Sequence, residues 1–191
     1  MHMQVPVGVS ARHIHLSPEH IEQLFGQGYE LKQLKPLSQP GQFAAEETVA
    51  VYGPKGKFDT VRILGPARGA TQLEVSRTDA FALGIRPPVR LSGHIAGTPG
   101  IRIVGPAGEV MIEEGVIIAA RHVHLHTSDA ERLGIADQQK LSIRVNGERG
   151  VVFHEVVARV HEQFALDFHI DTDEANAAGA QNGDLAEIIG T

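Results

Sequence analysis

The sequence contains no cysteine and no tryptophan, and only 5% of its 191 residues are aromatic. The absence of cysteine excludes disulfides, iron–sulfur clusters, thiolate zinc sites and cysteine nucleophiles. Long apolar runs are also missing: the longest, Val116 to Ala120, is far below the ~18–20 residues that a membrane helix needs. The opening MHMQVPVGVS has neither a basic region nor an apolar core, so we expect no secretory signal peptide.

Charge and hydropathy are typical of a globular protein. Lys and Arg number 17 against 23 Asp and Glu, which gives a formal charge of −6. This balance, without a basic tract, argues against broad nucleic-acid binding. A hydrophobic content of 42% is enough to form a core. At about 100–200 residues per domain, the chain makes one large domain or two small ones.

Short β-branched runs, separated by 21 glycines and 10 prolines, dominate the sequence. They read VPVGVS, TVAVYG, TVRILG, IRIVG, GVIIAA, LSIRV, GVVFHEVVARV and LAEIIG. Many short strands with turn signals predict β-barrels. Helical patterns are few: SPEHIEQLFG (17–26) has a Ser N-cap, a Pro at the first position and a terminal Gly. The units DAFALGI, DAERLGI and EANAAGA each predict a short helix that ends at a Gly and returns into a sheet.

A longer repeat divides the chain into two related halves. Residues 10–17 read SARHIHLS and residues 119–126 read AARHVHLH, with five of eight positions identical. We therefore expect a mainly β fold of two similar small β-barrels with short helices, produced by internal duplication. The expected domains are 1–93 and 94–191, divided near SGHIAGT (92–98), and the termini are free to swap between barrels.

Each copy of this repeat carries two histidines separated by one residue. The β-branched Ile14 and Val123 between them favour strands, in which positions i and i+2 share a face. One H-x-H pair is weak evidence for a metal site, but two in the same ARHxHL frame are much stronger. Imidazole-rich sites without cysteine favour Zn²⁺, then Co²⁺ or Ni²⁺, and open sites of this kind perform Lewis-acid chemistry.

Further ligands must come from elsewhere in the chain, because four imidazoles do not complete two sites. His169 in FHIDTDEAN and Glu74 in TQLEVS are candidates, and Glu74 lies either on the solvent face or turned towards a site. His126 continues the alternation of the second pair, or lies in the following turn. A surface or structural role is expected for the remaining histidines of the internal segments, His20, His94, His154 and His161.

Cationic residues near turns offer sites for an anion. Arg68 lies in GPARGA, Arg159 ends a strand, and Lys35 and Arg62 are further candidates. Guanidinium groups pair bidentately with phosphate, although each arginine taken alone is more often a solvated surface residue. The sequence has no GxxxxGK[ST] motif, no GxGxxG after a strand and no GxSxG motif, so P-loop, Rossmann and serine-hydrolase functions lose their main support.

Long segments resemble the PduL-type phosphotransacylases, or phosphate propanoyltransferases. The matching motifs are VPVGVSARHIHLS, LKPLSQPGQFA, VRILGPARGATQLEVSRTDA, GVIIAARHVHLH and HIDTDEANA, in this order from Val5 onward. The resemblance implies two β-barrel domains, transfer of an acyl group between coenzyme A (CoA) and phosphate, and an active site between the barrels with two divalent metals, usually zinc. It also implies a homodimer. The charge balance and the short apolar runs, and not the resemblance, predict no nucleic-acid or membrane partner.

The resemblance assigns roles residue by residue. The metal ligands fall on His13, His15, Glu74, His122, His124 and His169. Arg68 matches the catalytic arginine. Contacts to phosphate fall on Ser92 and Arg159 as well as on Arg68. Contacts to CoA fall on Ser10, Lys35, Arg62, Leu64 and Asn176.

Members of this family bound for bacterial microcompartments carry an N-terminal extension, and few residues precede VPVGVS here. The expectation is a free cytoplasmic enzyme or a chain from which the extension was removed.

We expect a direct attack of phosphate on the thioester of propanoyl-CoA or acetyl-CoA, helped by Arg68. A dinuclear metallohydrolase of phosphate or acyl esters and a non-catalytic metal-binding protein are the alternatives.

Overall fold

A computed structural model describes residues 3–190, which form fifteen strands and four short helices. The strands are β1 (Met3–Ser10), β2 (His13–His15), β3 (Gln33–Pro36), β4 (Phe43–Tyr52), β5 (Lys57–Gly65), β6 (Gln72–Glu74), β7 (Val89–Arg90), β8 (Ile101–Val104), β9 (Glu109–Ile112), β10 (Val116–Ala119), β11 (His122–Leu125), β12 (Lys140–Val145), β13 (Val151–Val160), β14 (Asp167–Asp171) and β15 (Leu185–Gly190). The helices are α1 (Pro18–Phe25), α2 (Arg77–Leu83), α3 (Thr127–Leu133) and α4 (Thr172–Ala178). The β-branched runs of the sequence all fall within strands, as predicted.

Both ends of α1, and the glycine ends of the other three helices, lie where the sequence predicts them. Ser17 caps the start of α1, where its side chain accepts a hydrogen bond from a backbone amide, and Gly26 ends the helix. Each of the other three helices ends at a glycine in the left-handed conformation, where a side chain would be strained. Within residues 3–190, every helix is too short or too polar to cross a membrane.

The chain groups into two compact units. Among the described residues, the barrel unit contains 3–11, 38–40 and 120–190, and the sheet unit contains 12–37 and 41–119. These ranges differ from the contiguous domains 1–93 and 94–191, and that division stays a prediction.

Six strands of the barrel unit close into a barrel in the order β1-β14-β11-β13-β12-β15. The strand β1 completes the ring, since it pairs in parallel with β14 and antiparallel with β15. Alternate apolar side chains, including the fully buried Val123, Leu125, Ile143 and Phe168, fill its core.

Nine strands of the sheet unit form one sheet in the order β7-β10-β6-β2-β5-β4-β8-β9, with β3 added to β4. Its core contains Ile14, Ile63, Leu73 and Leu83. The predicted mainly β fold with a barrel and short helices is confirmed. Because the end strands β7 and β9 are not paired with each other in this order, the second unit is a sheet rather than another closed barrel.

The two units repeat one strand arrangement around each H-x-H segment. In the sheet unit β2 lies between the parallel β5 and the antiparallel β6, and in the barrel unit β11 lies between the parallel β13 and the antiparallel β14. The strand that precedes each H-x-H segment pairs with a strand of the other unit. The strand β1, which precedes β2 of the sheet unit, pairs with β14 of the barrel unit, and β10, which precedes β11 of the barrel unit, pairs with β6 of the sheet unit. This exchange is the physical reason why the compact units do not follow the repeat boundaries.

Candidate functional site

Two histidines and a glutamate come together in the sheet unit. Ile14 faces the core, so His13 and His15 share the opposite face of β2, and Glu74 on β6 stands directly opposite His13. The Nε2 atom of His13 lies 3.4 Å from Oε2 of Glu74, and Nε2 of His15 lies 3.9 Å from Oε1. One potential ligand atom from each residue lies within 4.8 Å of the others, and all three residues are buried. We call these residues the sheet triad.

Three histidines form the equivalent group in the barrel unit. Val123 faces the core, His122 and His124 share the other face of β11, and His169 on β14 stands opposite His122. The three ring centroids are 4.8–5.0 Å apart. Their potential ligand atoms also lie within 4.8 Å of one another. We call these residues the barrel triad.

A hydrogen-bond network holds Glu74 in place. The amide of Gln72 donates to Oε1 of Glu74 at 2.7 Å, and the hydroxyl of Ser92 donates to the same oxygen at 3.1 Å. Nη1 of Arg68 donates to the Ser92 hydroxyl at 3.0 Å. The backbone amide of Arg68 is anchored on the carbonyl of Leu16 at 2.9 Å. Ser92 therefore joins the proposed catalytic arginine to a carboxylate of the sheet triad.

Asp167 plays the corresponding part in the barrel unit. It occupies the same register position as Gln72, two residues before the third triad member, and its Oδ2 lies 2.8 Å from Nε2 of His169. Burial opposes ionisation of Asp167, but the interactions with His169, together with Ser38 and His122, outweigh it and lower the pKa of the carboxyl. Gly8 on β1 leaves the room for this pair, because a Cβ there would lie 3.0 Å from Asp167 Oδ1.

The second histidine of each pair is held neutral. Burial lowers the pKa of His15 from its usual 6.5 to about 3, with the nearby charges of His13 and Arg68 adding to the effect. Burial likewise lowers the pKa of His124 to about 2, helped by His122, His169 and Arg159. A neutral imidazole keeps the lone pair that a metal ion requires.

The residues of both triads fit a divalent cation. Among residues 3–190, the buried side-chain polar atoms that lack a hydrogen-bond partner are Nδ1 of His15 and Nδ1 of His124, in equivalent positions of the two triads. An unpaired buried nitrogen costs free energy unless something binds it. Three nitrogen or oxygen donors also leave a fourth position of a tetrahedral ion open for a substrate.

The other phosphate candidate, Arg159, lies beside the barrel triad. It stands opposite His124 in the pairing of β11 and β13. Its guanidinium lies 5.6 Å from the ring centroid of Phe164, and that ring is 4.5 Å from the ring of His124. A positive charge thus stands next to each triad: Arg68 in the sheet unit and Arg159 in the barrel unit.

The CoA candidates fall into two groups. Lys35 and Leu64 flank Ala44 in one row across β3, β4 and β5, and Arg62 on β5 donates to the carbonyls of Ala45 and Glu46 at 2.9 and 2.8 Å. In the barrel unit, Ser10 pairs with Asp171, the N-cap of the helix that carries Asn176.

The remaining histidines have structural partners or are exposed. His126 caps α3, and its Nδ1 accepts a hydrogen bond from the amide of Ser128 at 3.1 Å. Of the two positions that the sequence allowed, His126 therefore occupies the turn and not the strand. His20 contacts the hydroxyl of Thr71 at 2.7 Å, and His154 contacts that of Ser142 at 2.9 Å. His94 and His161 are exposed.

Sequence reasoning missed several polar residues that bond to the triads or to the helices beside them. Gln72 and Asp167 each stand two residues before a triad member, but one is an amide and the other an acid, so no repeated motif marks them. Arg12 and Arg121, which pair with Asp79 and Glu174, do lie in the ARHxHL repeat and could have been found there.

Comparison with known proteins gives a consistent result. A family model described as phosphate propanoyltransferase matches residues 6–181. A protein of that name from Thermotoga maritima is 58% identical over 184 residues, which cover 96% of this chain and 88% of the relative. Relatives of the same name from Rhodopseudomonas palustris and Salmonella typhimurium are 52% and 50% identical, each over 97% of this chain and over 82% and 89% of their own lengths. The resemblance found in the sequence motifs is confirmed, and with it the expectation of an acyltransferase: the chain belongs to the phosphate propanoyltransferase family.

Proposed function

We propose that this protein transfers a short acyl group, propanoyl or acetyl, between CoA and inorganic phosphate, and that the sheet triad and the barrel triad each hold one divalent metal ion, with zinc the first candidate. The observation that carries the proposal is the repetition of the triad: the same strand arrangement gathers three donors in each unit, and all of them except the half-buried His169 are buried. The family match, which covers nearly the whole chain, supports the acyl transfer. A homodimer and a cytoplasmic location stay predictions.

The reaction joins a phosphate oxygen to the thioester carbonyl carbon and breaks the carbon–sulfur bond, which gives an acyl phosphate and the thiolate of CoA. Divalent ions, when bound, supply Lewis-acid polarisation of substrate oxygens. The chain has no cysteine for a cysteine-linked acyl intermediate, so direct transfer between the two substrates is the simplest course.

Arg68 has the charge and the anchoring needed to stabilise negative charge during transfer. Its backbone is fixed on Leu16, and its side chain is oriented by Ser92. A preorganised guanidinium interacts more strongly with the developing oxyanion or thiolate than a mobile one, because it needs little reorganisation. Arg159 is the second cation available to orient phosphate, in the unit that holds the barrel triad.

A thiol-release assay with propanoyl-CoA and acetyl-CoA, run with and without phosphate, tests the activity directly. We expect free CoA only when phosphate is present, with acyl phosphate formed in equal amount. Metal analysis of the same preparation should find two ions per chain. CoA release at the same rate without phosphate would indicate a hydrolase, and two bound ions without any turnover would indicate a metal-binding protein.

A further inference from the structure

The arginine that precedes the first H-x-H pair is tied to the helix that follows Glu74. Nε and Nη2 of Arg12 lie 3.0 and 2.8 Å from the same oxygen, Oδ1 of Asp79. Asp79 is buried in the first turn of α2, where it also forms a capping box with Ser76. The guanidinium carbon of Arg12 lies 4.0 Å from the centroid of the Phe58 ring.

The barrel unit repeats this arrangement. Nε of Arg121 lies 2.7 Å from Oε1 of Glu174, in the first turn of α4. Glu174 forms a capping box with Asp171, the N-cap of that helix. The guanidinium carbon of Arg121 lies 5.2 Å from the centroid of the Phe153 ring.

The spacing along the chain shows that the two arrangements are copies. Each arginine directly precedes the first histidine of its triad. Asp79 and Glu174 each follow the third triad member, Glu74 or His169, by five residues. The surface pair Arg102–Glu109 on β8 and β9 has a similar stacking contact with Tyr52, at 4.3 Å, but lies on strands that pair with neither β2 nor β6.

In the sheet unit, a connection of this kind adds a constraint that the backbone alone supplies only weakly. The strands that carry the sheet triad, β2 and β6, are only three residues long, so a short ladder of backbone hydrogen bonds fixes their separation. A side-chain link from the start of β2 to the helix after β6 adds a second constraint on the same two segments. Arginine suits this link because its planar group donates from two nitrogens while it stacks on a ring, and lysine cannot do both.

We propose that Arg12 and Arg121 are positioning residues, each of which joins the strand bearing two histidine ligands to the helix that follows the third ligand and so holds the three donors of its triad at metal-binding separation. This inference rests on the proposed function, in which each triad binds one ion. It assigns to the arginine of ARHxHL a role that does not require contact with the metal or with the substrate.

Zinc titration of the metal-free, full-length protein against a chromophoric chelator tests the proposal, with Zn²⁺ alone as the probe. The His13→Ala and His122→Ala backgrounds each leave one triad intact, so the two sites can be assigned. We expect Arg12→Lys to weaken zinc binding at the sheet triad by about 10–100-fold, the range typical of outer-shell changes, and to leave the barrel triad unchanged. Arg121→Lys should do the reverse, and the matched control Arg102→Lys should alter neither site.

A double-mutant cycle adds a readout that a general loss of stability would not move. If Arg12 acts through Asp79, Arg12→Lys combined with Asp79→Asn should weaken zinc binding no more than the stronger single change. If Arg12→Lys does not fold, Phe58→Leu removes only the ring beneath the guanidinium and is titrated in its place.

The outcomes separate this inference from the proposed function. If wild type binds two ions and Arg12→Lys binds zinc with unchanged affinity, the positioning role is overturned. The same holds for Phe58→Leu where that variant replaces Arg12→Lys. Equal weakening at both sites, additive losses in the cycle, or the same weakening in Arg102→Lys also overturns it. If wild type binds no zinc, the metal assignment of the proposed function fails instead.

Discussion

Glu74 and His169 occupy the same position in the two units: each stands on an antiparallel strand directly opposite the first histidine of an H-x-H pair. The backbone register is repeated, but one residue is a carboxylate and the other an imidazole. The sheet triad therefore includes one carboxylate donor, whereas the barrel triad has three imidazole donors and the carboxyl of Asp167 bonded to His169. Divalent ions bound to these two donor sets would form centres of different net charge and hence of different Lewis acidity.

Removal of one histidine should cost one metal ion. We expect His13→Ala to lose about one equivalent of metal and most of the activity, because the two remaining donors of the sheet triad are too few for a stable site. Metal analysis and the phosphate-dependent assay measure both effects. His154→Ala, which removes an exposed histidine bonded to Ser142, is the matched control. Full metal content and normal turnover in His13→Ala would exclude the sheet triad as a metal site.

Neighbouring histidines on one segment should differ in importance. His124 belongs to the barrel triad, whereas His126 accepts a backbone hydrogen bond at the start of α3. We expect His124→Ala to lose metal and activity, and His126→Ala to keep metal and most of the activity with a cost in stability of about 0.5–2 kcal/mol, as for other lost N-caps. Metal content and urea unfolding distinguish the two. Equal losses of metal would place His126 at the site.

Arg68 should affect the rate of the reaction more than the binding of metal. Loss of an oxyanion-type donor costs roughly 10²–10³ in kcat, so we expect a fall of that order in Arg68→Ala with metal content intact. Arg68→Lys should recover only part of the rate, because it keeps the charge but loses the planar group. The exposed Arg90→Ala is the control. If only KM changed, Arg68 would bind the substrate and the transition state equally well, and Arg159 would become the candidate for the catalytic role.

Acid should destabilise the metal-free protein through its buried histidines. The pKa of His15 is about 3 and that of His124 about 2 in the folded chain, against 6.5 ordinarily. Below pH 6.5 the unfolded state binds protons that the folded state does not, so the free energy of unfolding falls as the pH falls. Each histidine contributes up to about 1.4 kcal/mol per pH unit.

Urea unfolding between pH 6.5 and 5 measures this slope. In His15→Gln, the free energy of unfolding should depend less steeply on pH, by the equivalent of about one proton taken up on unfolding. The reason is that glutamine takes up no proton in either state. The exposed His94→Gln should leave the slope unchanged. An identical slope in wild type and His15→Gln would show that His15 is protonated in the folded protein.

The local signals in the sequence predicted much of the fold. Ser17 and Gly26 mark the ends of α1, and the β-branched residues within the H-x-H pairs predict strands with both imidazoles on one face. These features depend on neighbours in the chain. The two triads also include Glu74 and His169, which came from the family resemblance and from their flanking apolar residues, and the structure brings them opposite the paired histidines.

Contacts between distant segments could not be derived in this way. The Arg12–Asp79 pair spans 67 residues, and the double hydrogen bond between Gln39 and the backbone of Ala165 spans 126. No periodic sequence pattern marks either pair of residues, and each contact depends on a strand register that tertiary packing determines. For the same reason, the sequence allowed a swap between the barrels but did not predict that β1 and β10 are the strands exchanged.

The place of β1 in the barrel unit has a consequence for fragments of this protein. Expressed alone, residues 94–191 retain five barrel strands but leave a vacant slot between β14 and β15. Each of these strands then presents unpaired backbone donors and acceptors, which invite edge-to-edge aggregation. A peptide with the sequence of β1 has the register to fill the slot, so the N-terminal strand acts towards the C-terminal half as a covalently attached donor strand.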